Sequence, residues 1–281
     1  MKAWIVVLAA CGSPSMNGPD APGACEPPAL DAPWLRGLLA DSVGALAATP
    51  RATIPERDAA RAYLSDQIRA IGWDPVLHTY ATGANVHATI PSTTGGTQQI
   101  IVGAHFDGEA GSPAANDNAS GVAAVLAIAR YLRDVPCRDV GVTVVLFDQE
   151  EAGLVGSRAY AATVSTTDVR GVYTIDQVSW DGDGDRVFEI EMPSAALEQE
   201  YRAAAALVGA SLSVTSMEGT DHESFRDRGI AAVGLTEEYV GGDTSPHNDR
   251  ATDTAATINL DYLELAARLA GQVIMTAVTV P

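Results

Sequence analysis

Histidine and carboxylate side chains recur in this chain at the ends of apolar runs. The run Ile100 to Ala104 leads straight into His105-Phe106-Asp107. A second run, Val140 to Phe147, ends in Asp148 and the adjacent pair Glu150-Glu151, and a third, Gly171 to Ile175, ends in Asp176. Asp117 stands between two asparagines in "NDNASG", just ahead of a helix-like stretch. A charge leaves water only when it is paired or bound to a metal. His105 and Asp107 are two residues apart at a strand end, so their side chains can point the same way. That spacing suits a histidine metal ligand oriented by a carboxylate behind it. Asp117 can bridge two metals, one oxygen to each; capping the following helix would account for it equally well. Glu150 and Glu151 repel each other unless cations divide the labour between a ligand and a general base. Each acid taken alone also reads as a solvated loop residue. The specificity lies in their order at the ends of successive strands.

Those strands follow from the pattern around them. Helices are predicted over Leu30–Ala48, Pro55–Ile71, Ala119–Leu132, Glu151–Ala162, Pro193–Leu207 and Leu260–Ala277. Strands are predicted over Val76–Thr82, Val86–Ile90, Gln99–Ala104, Val140–Phe147, Gly171–Ile175, Val187–Glu191, Ser211–Ser216 and Ile230–Leu235. Strands alternating with helices indicate an α/β fold with a mixed, mostly parallel central sheet flanked by helices. Ligands bind beyond the carboxyl ends of such strands, which is where the acids fall.

The bulk properties narrow the function further. With 281 residues there is enough chain for one large domain, and a net charge of −19 argues against nucleic acid as a partner. The start, "MKAWIVVLAACGS", has a minimal positive region, a short apolar run and Leu8-Ala9-Ala10-Cys11, which looks like a bacterial lipobox. Residues 1–10 then read as a lipoprotein signal peptide, 11–29 as a Pro/Gly-rich tether and 30–281 as the catalytic domain. This places the chain outside the cytoplasm, in a bacterial cell envelope, held to the membrane only by lipid on Cys11; an ordinary signal peptide or a misassigned start is the alternative. Cys25 and Cys137 then remain, to pair in an oxidising compartment or to stay as free thiols.

The stretches "GAHFDG", "ANDNASGVAAVLAIARYL", "LFDQEEAGLVGSRAY", "YTIDQVSW" and "TDHESFRDRGIAAVGL" resemble the di-zinc aminopeptidase family. That family includes the bacterial leucyl and streptomycete aminopeptidases, aminopeptidase Y and glutamate carboxypeptidase II. The likeness covers roughly residues 80–260. It implies a zinc-exopeptidase fold, a phosphorylase/hydrolase-like three-layer sandwich, and hydrolysis of N-terminal residues from a peptide substrate. Carried over, His105 and Asp176 would bind one zinc, Asp117 would bridge, and Glu151 would bind the second. Glu150 would be the general base, and Asp107 would orient His105. Two zinc ions per chain are implied, with manganese or cobalt as alternatives.

The chain departs from the family at the last ligand, a histidine four residues before an Asp-Thr pair. Counting back from Asp253-Thr254 in "GGDTSPHNDRATDT" reaches Asp249, with His247 two residues earlier. Either two extra loop residues let His247 reach the metal, the preferred reading, or Asp249 replaces the histidine. A third reading has neither bind, leaving the second site weak. Asp is a sound zinc ligand and a better manganese ligand. "DGDGD", Asp181 to Asp185, fits a calcium loop poorly and reads as an acidic turn. His222, His78 and His87 read as structural, and Gln177, Met192 and Phe225 as pocket candidates. Two rivals remain: a single-zinc glutaminyl cyclase on the same fold, and an inactive, peptidase-derived binding protein. Asp176 argues against the first, and retention of Glu150 against the second.

Overall fold

The computed structural model describes residues 28–279. The signal segment, Cys11, Cys25 and nearly all of the tether lie outside the described residues. Cys137 is disulfide-bonded.

The strands are β1 (Val76–Tyr80), β2 (Gly83–Ile90), β3 (Gln99–His105), β4 (Gly141–Phe147), β5 (Val169–Ile175), β6 (Val187–Glu191), β7 (Ser211–Thr215) and β8 (Ala232–Glu237). They form one sheet in the order β1-β2-β4-β3-β5-β8-β6-β7. The four central strands β4, β3, β5 and β8 are parallel, while β2 and β6 join them antiparallel. The mixed, mostly parallel sheet is therefore as the alternation of elements predicts.

Helices cover both faces. Alternate residues of the central strands take opposite sides, as the pleat requires. Ile100, Val102, Val142, Val144 and Leu146 pack with α1 (Leu35–Leu46), α2 (Ile54–Ile71), α3 (Gly121–Asp134), α5 (Ala195–Val208) and α7 (Leu260–Thr279). Ile101, Val145, Phe147 and Val172 pack in a smaller cluster with Tyr160 of α4 (Val155–Ala161) and Phe225 of α6 (Asp221–Arg226). Burial on both sides explains why β4 shows no polar alternation. α2 starts in a Thr53–Glu56 capping box and stops at Gly72, whose φ of 109° suits only glycine well.

The departures from the sequence reading gather near the site. The helix predicted from Glu151 begins only at Val155, because Gly153 and Leu154 take left-handed φ values of 96° and 61° and interrupt it. Glu150 and Glu151 thus sit in a turn. The helix predicted from Ala119 begins at Gly121, preceded by a wide turn, Ala115–Ser120, in which Asp117 and Asn118 are non-helical. Asp117 therefore does not cap α3. The first helix starts at Leu35, beyond Pro33. α6, at 6 residues, is too short to show a helical period in the sequence.

Candidate metal centre

Parallel pairing of β3 with β4 and β5 brings their carboxyl ends to one edge of the sheet. His105 closes β3 and is buried; its Nε2 lies 3.2 Å from Asp117 Oδ1 and 3.2 Å from Asp176 Oδ1. Ligand atoms of His105, Asp117 and Glu151 fall within 4.8 Å of one another. Glu150, Asp176 and Asp249 line the same pocket as Asp117 and Glu151. Asp107 lies 3.4 Å from His105 Nδ1, through its Oδ1. Its two oxygens also accept the backbone N–H groups of Glu150 (3.0 Å) and Glu151 (3.3 Å). One carboxylate thus faces the histidine and tethers the acidic turn.

The two asparagines beside Asp117 are fasteners. Asn118 donates to Ile175 O at 2.9 Å and accepts from Gly121 N at 2.8 Å. Asn116 donates to Glu237 Oε2 at 2.9 Å and accepts from Ser179 N at 2.9 Å. Asp253 takes the N–H groups of both Asn116 and Asp117. Gly121 is needed here, since a Cβ would come 2.4 Å from Ile175 O.

Two buried residues near the site, Arg51 and Asp221, give no signal in the sequence, and a third, Asp148, gives a misleading one. Arg51 is buried and donates to four carbonyls, Phe106, Leu46, Pro113 and Ala114, at 2.6–2.9 Å. It fixes the loop between β3 and Asp117. Asp221 is a buried carboxyl pushed up to about 7 by burial, and its Oδ1 has no partner. Asp148, grouped with the edge acids by sequence, turns away from the pocket to Arg57 (2.8 Å) and Arg61 (2.7 Å) of α2.

Asp249 and His247 are placed differently. Asp249 lines the pocket, and burial, then Glu109 and Asp176, raise its carboxyl pKa. His247 is turned aside, with Nδ1 3.0 Å from Thr252 Oγ1 and its ring edge-on to Trp180. The loop thus brings the aspartate, not the preferred histidine, to the pocket. His78 and His87 pack around Tyr160, away from the cluster. The Asp181–Asp185 carboxylates take N–H groups of their own turn. Of the pocket candidates, Gln177 lines the cavity, whereas Phe225 is core.

The electrostatics are those of a crowded cluster of carboxyls. Burial pushes the Asp117 carboxyl up to about 7, Glu151 to about 9 and Glu150 to about 10, with neighbouring carboxylates adding to each. Burial opposes charging of His105, but the surrounding acids raise its pKa well above the usual value. Buried His105 Nδ1 and Glu151 Oε1 have no hydrogen-bond partner, and no described Lys or Arg lines the pocket. The buried guanidinium of Arg51 feels the field of Asp107, Asp117 and Glu151 but spends its N–H groups on backbone carbonyls, so oxygen and imidazole donors in the pocket fit a divalent metal.

Residues 85–274 match Peptidase family M28. The chain belongs to this family. Aminopeptidase YwaD of Bacillus subtilis is 30% identical over 191 residues, covering 64% of this chain and 41% of the relative. The probable lipoprotein aminopeptidase LpqL of Mycobacterium tuberculosis is 30% identical over 161 residues, 50% of this chain and 32% of the relative. The chain therefore spans less than half the length of either. The structure of a zinc aminopeptidase from Bacillus subtilis superposes with a TM-score of 0.66 at 26% identity, over 70% of this chain and 50% of that one. An aminopeptidase from Aneurinibacillus sp. strain AM-1 shares the fold at 17% identity, TM-score 0.79, over 86% of this chain and 94% of its own. So does a Bacteroides thetaiotaomicron glutaminyl cyclase at 19% identity, TM-score 0.75, over 89% and 99%.

Proposed function

We propose that this M28 chain is a zinc aminopeptidase that releases N-terminal residues from peptides. The observation that carries the reading is one buried imidazole nitrogen 3.2 Å from each of two carboxylates, with Glu151 beside them and no described Lys or Arg lining the pocket. We assign His105, Asp117 and Asp176 as the residues that would hold one zinc, and Glu151 and Asp249, with Asp117 beside them, as those that would hold a second; two ions would offset the charge of these acids. Asp249 takes the place of His247 in this assignment because it is the residue on the pocket wall. Zinc bound there supplies Lewis acidity to the scissile carbonyl and to the attacking water. Glu150 takes the water's proton and hands it to the leaving amine. Asp107 keeps Glu150 in reach through its backbone N–H and orients His105. The surplus of carboxylates favours a substrate's free amino terminus over its carboxylate end.

The test is hydrolysis of an aminoacyl p-nitroanilide panel with metal analysis of the same preparation. Glu150→Gln should cost about 10²-fold or more in kcat while keeping two zinc ions per chain. Near-normal turnover by that variant would refute the base assignment. One zinc per chain with pyroglutamate formed from N-terminal glutamine would favour the cyclase reading instead.

We also infer that the chain works outside the cytoplasm, anchored by lipid on Cys11. The lipobox-like start and the lipoprotein name of the mycobacterial relative support this. Among the described residues no helix is long and apolar enough to cross a membrane.

A further inference from the structure

The pocket of about 250 Å³ that holds the metal-site acids also extends over Gln177, Glu191, Met217, Glu218, Thr220 and Tyr239. Nothing in the proposed reaction uses Glu191. It ends β6 opposite Gly234 of β8, and it is only 2% exposed. Its Oε2 accepts from Thr220 Oγ1 at 3.2 Å and lies 3.5 Å from His222 Nδ1. Its Oε1 accepts no hydrogen bond among the described residues. His222 is no counter-ion, because burial and Arg226 push its imidazole down to about 4. The seat is built for this carboxylate: a Cβ on Gly234 would fall 2.2 Å from Glu191 Oε2 and 3.1 Å from His222 Nδ1.

The rest of the wall repeats the same chemistry. Gln177 Oε1 is a buried acceptor without a partner. Glu218 and Asp249 add carboxylates, and no described Lys, Arg or His lines the cavity. A buried carboxyl without a cation keeps its proton, and burial raises Glu191 to about 8; a cation seated beside it would release that proton and pair with the carboxylate. Lysine offers three N–H donors and arginine five, and neither offers an acceptor. Met217 and Tyr239 supply apolar surface for the methylene stem of such a side chain.

We propose that Glu191 makes this recess selective for peptides whose N-terminal residue is basic, lysine or arginine. The assignment rests on the aminopeptidase reading. Apolar N-terminal residues enter the same space but leave Glu191 and Gln177 desolvated and unpaired, which lowers their reactivity relative to a basic residue.

The experiment uses the zinc-loaded full chain with lysyl, arginyl and norleucyl p-nitroanilides; norleucine matches lysine without the ammonium group. The wild-type kcat/KM should favour lysine and arginine over norleucine by about 10- to 100-fold, the worth of a hydrogen-bonded charge. Glu191→Gln, nearly isosteric, should erase that preference and leave norleucine within about twofold. Equal wild-type rates on all three, or a uniform loss in Glu191→Gln, would overturn the proposal. Calorimetric binding of free lysine and norleucine gives a readout independent of turnover. If no anilide is cleaved but wild type alone binds lysine more tightly, the recess stands and the aminopeptidase reading falls. If anilides are cleaved without any lysine preference in rate or binding, the recess assignment fails alone. If neither cleavage nor selective binding occurs, both fail.

Discussion

Asp249 and His247 are two residues apart, yet only the aspartate lines the cavity; the histidine is held by Thr252 and Trp180. The proposed ligand change at this point has a measurable signature. Asp249→Ala should release about one metal per chain on dialysis and remove most activity, while His247→Ala should do little of either. The reverse result would mean that the loop moves to bring His247 in. The same acids set a pH dependence. Asp117, Asp221, Glu191 and Glu151 have folded pKa values raised to about 7, 7, 8 and 9. Unfolded, these carboxyls ionise near pH 4, so between about pH 6.5 and 9 the folded state holds protons that the unfolded state has lost. His105, raised above its usual value, adds in the same direction. The buried His222 has the opposite sign, but its effect is confined to the range between about 4 and its unfolded value near 6.5. The metal-free protein should therefore lose stability as pH rises through about 6.5 to 9, and zinc should flatten that slope by replacing protons. Thermal unfolding in chelator and in zinc across this range checks it, and a chelated Tm that rises with pH would refute it.

Among the elements, α2 does more than cover the sheet. Its Arg57 and Arg61 both reach Asp148, which has no solvent exposure, at the point where β4 becomes the acidic turn. Asn85 of β2 takes the Asp148 N–H at 2.9 Å, and Tyr80 of β1 donates to its carbonyl at 3.0 Å. The turn holding Glu150 is thus pinned from α2, β1 and β2 on one side and by Asp107 on the other. Asp148→Ala leaves two guanidinium groups facing a buried void. It should cost about 3–5 kcal/mol of stability, read by denaturant unfolding of the metal-free protein. A loss under about 1 kcal/mol would show that Arg57 and Arg61 find water or other acceptors.

For the whole molecule, the sheet order β4-β3-β5 matters most, because it gathers side chains from segments some 70 residues apart, such as His105 and Asp176, at one edge. The body so formed carries most of the −19 charge, an acidic surface suited to meeting cationic ligands. The proposed lipid anchor lies in the stretch before residue 28. Cys11→Ser should move the protein from the membrane pellet to the soluble fraction after fractionation of expressing cells, with unchanged specific activity on the anilides. Identical partitioning of the two proteins would remove the lipid-anchor proposal.

Much of this molecule could be read before folding. Apolar runs announce β3, β4 and β5, and the acids that follow them announce the site edge, because both are local properties of the chain. Asp107 beside His105 is legible for the same reason. The start of α4 is not legible in the sequence, because left-handed residues at Gly153 and Leu154 break a pattern that is helical by composition. The choice of Asp249 over His247 has no local signal, since it depends on which face of a loop Trp180 and Thr252 occupy. Arg51 reaches Phe106 and Ala114, and Asp253 reaches Asn116, across 55 to 137 positions of sequence. Such long-range hydrogen bonds, and the recess floored by Glu191 against Gly234, exist only once the sheet has closed. Sequence order therefore determined which chemistry was at hand, and tertiary packing decided which carboxylates share a cavity and which are neutralised by an arginine, because burial and distance set their charge.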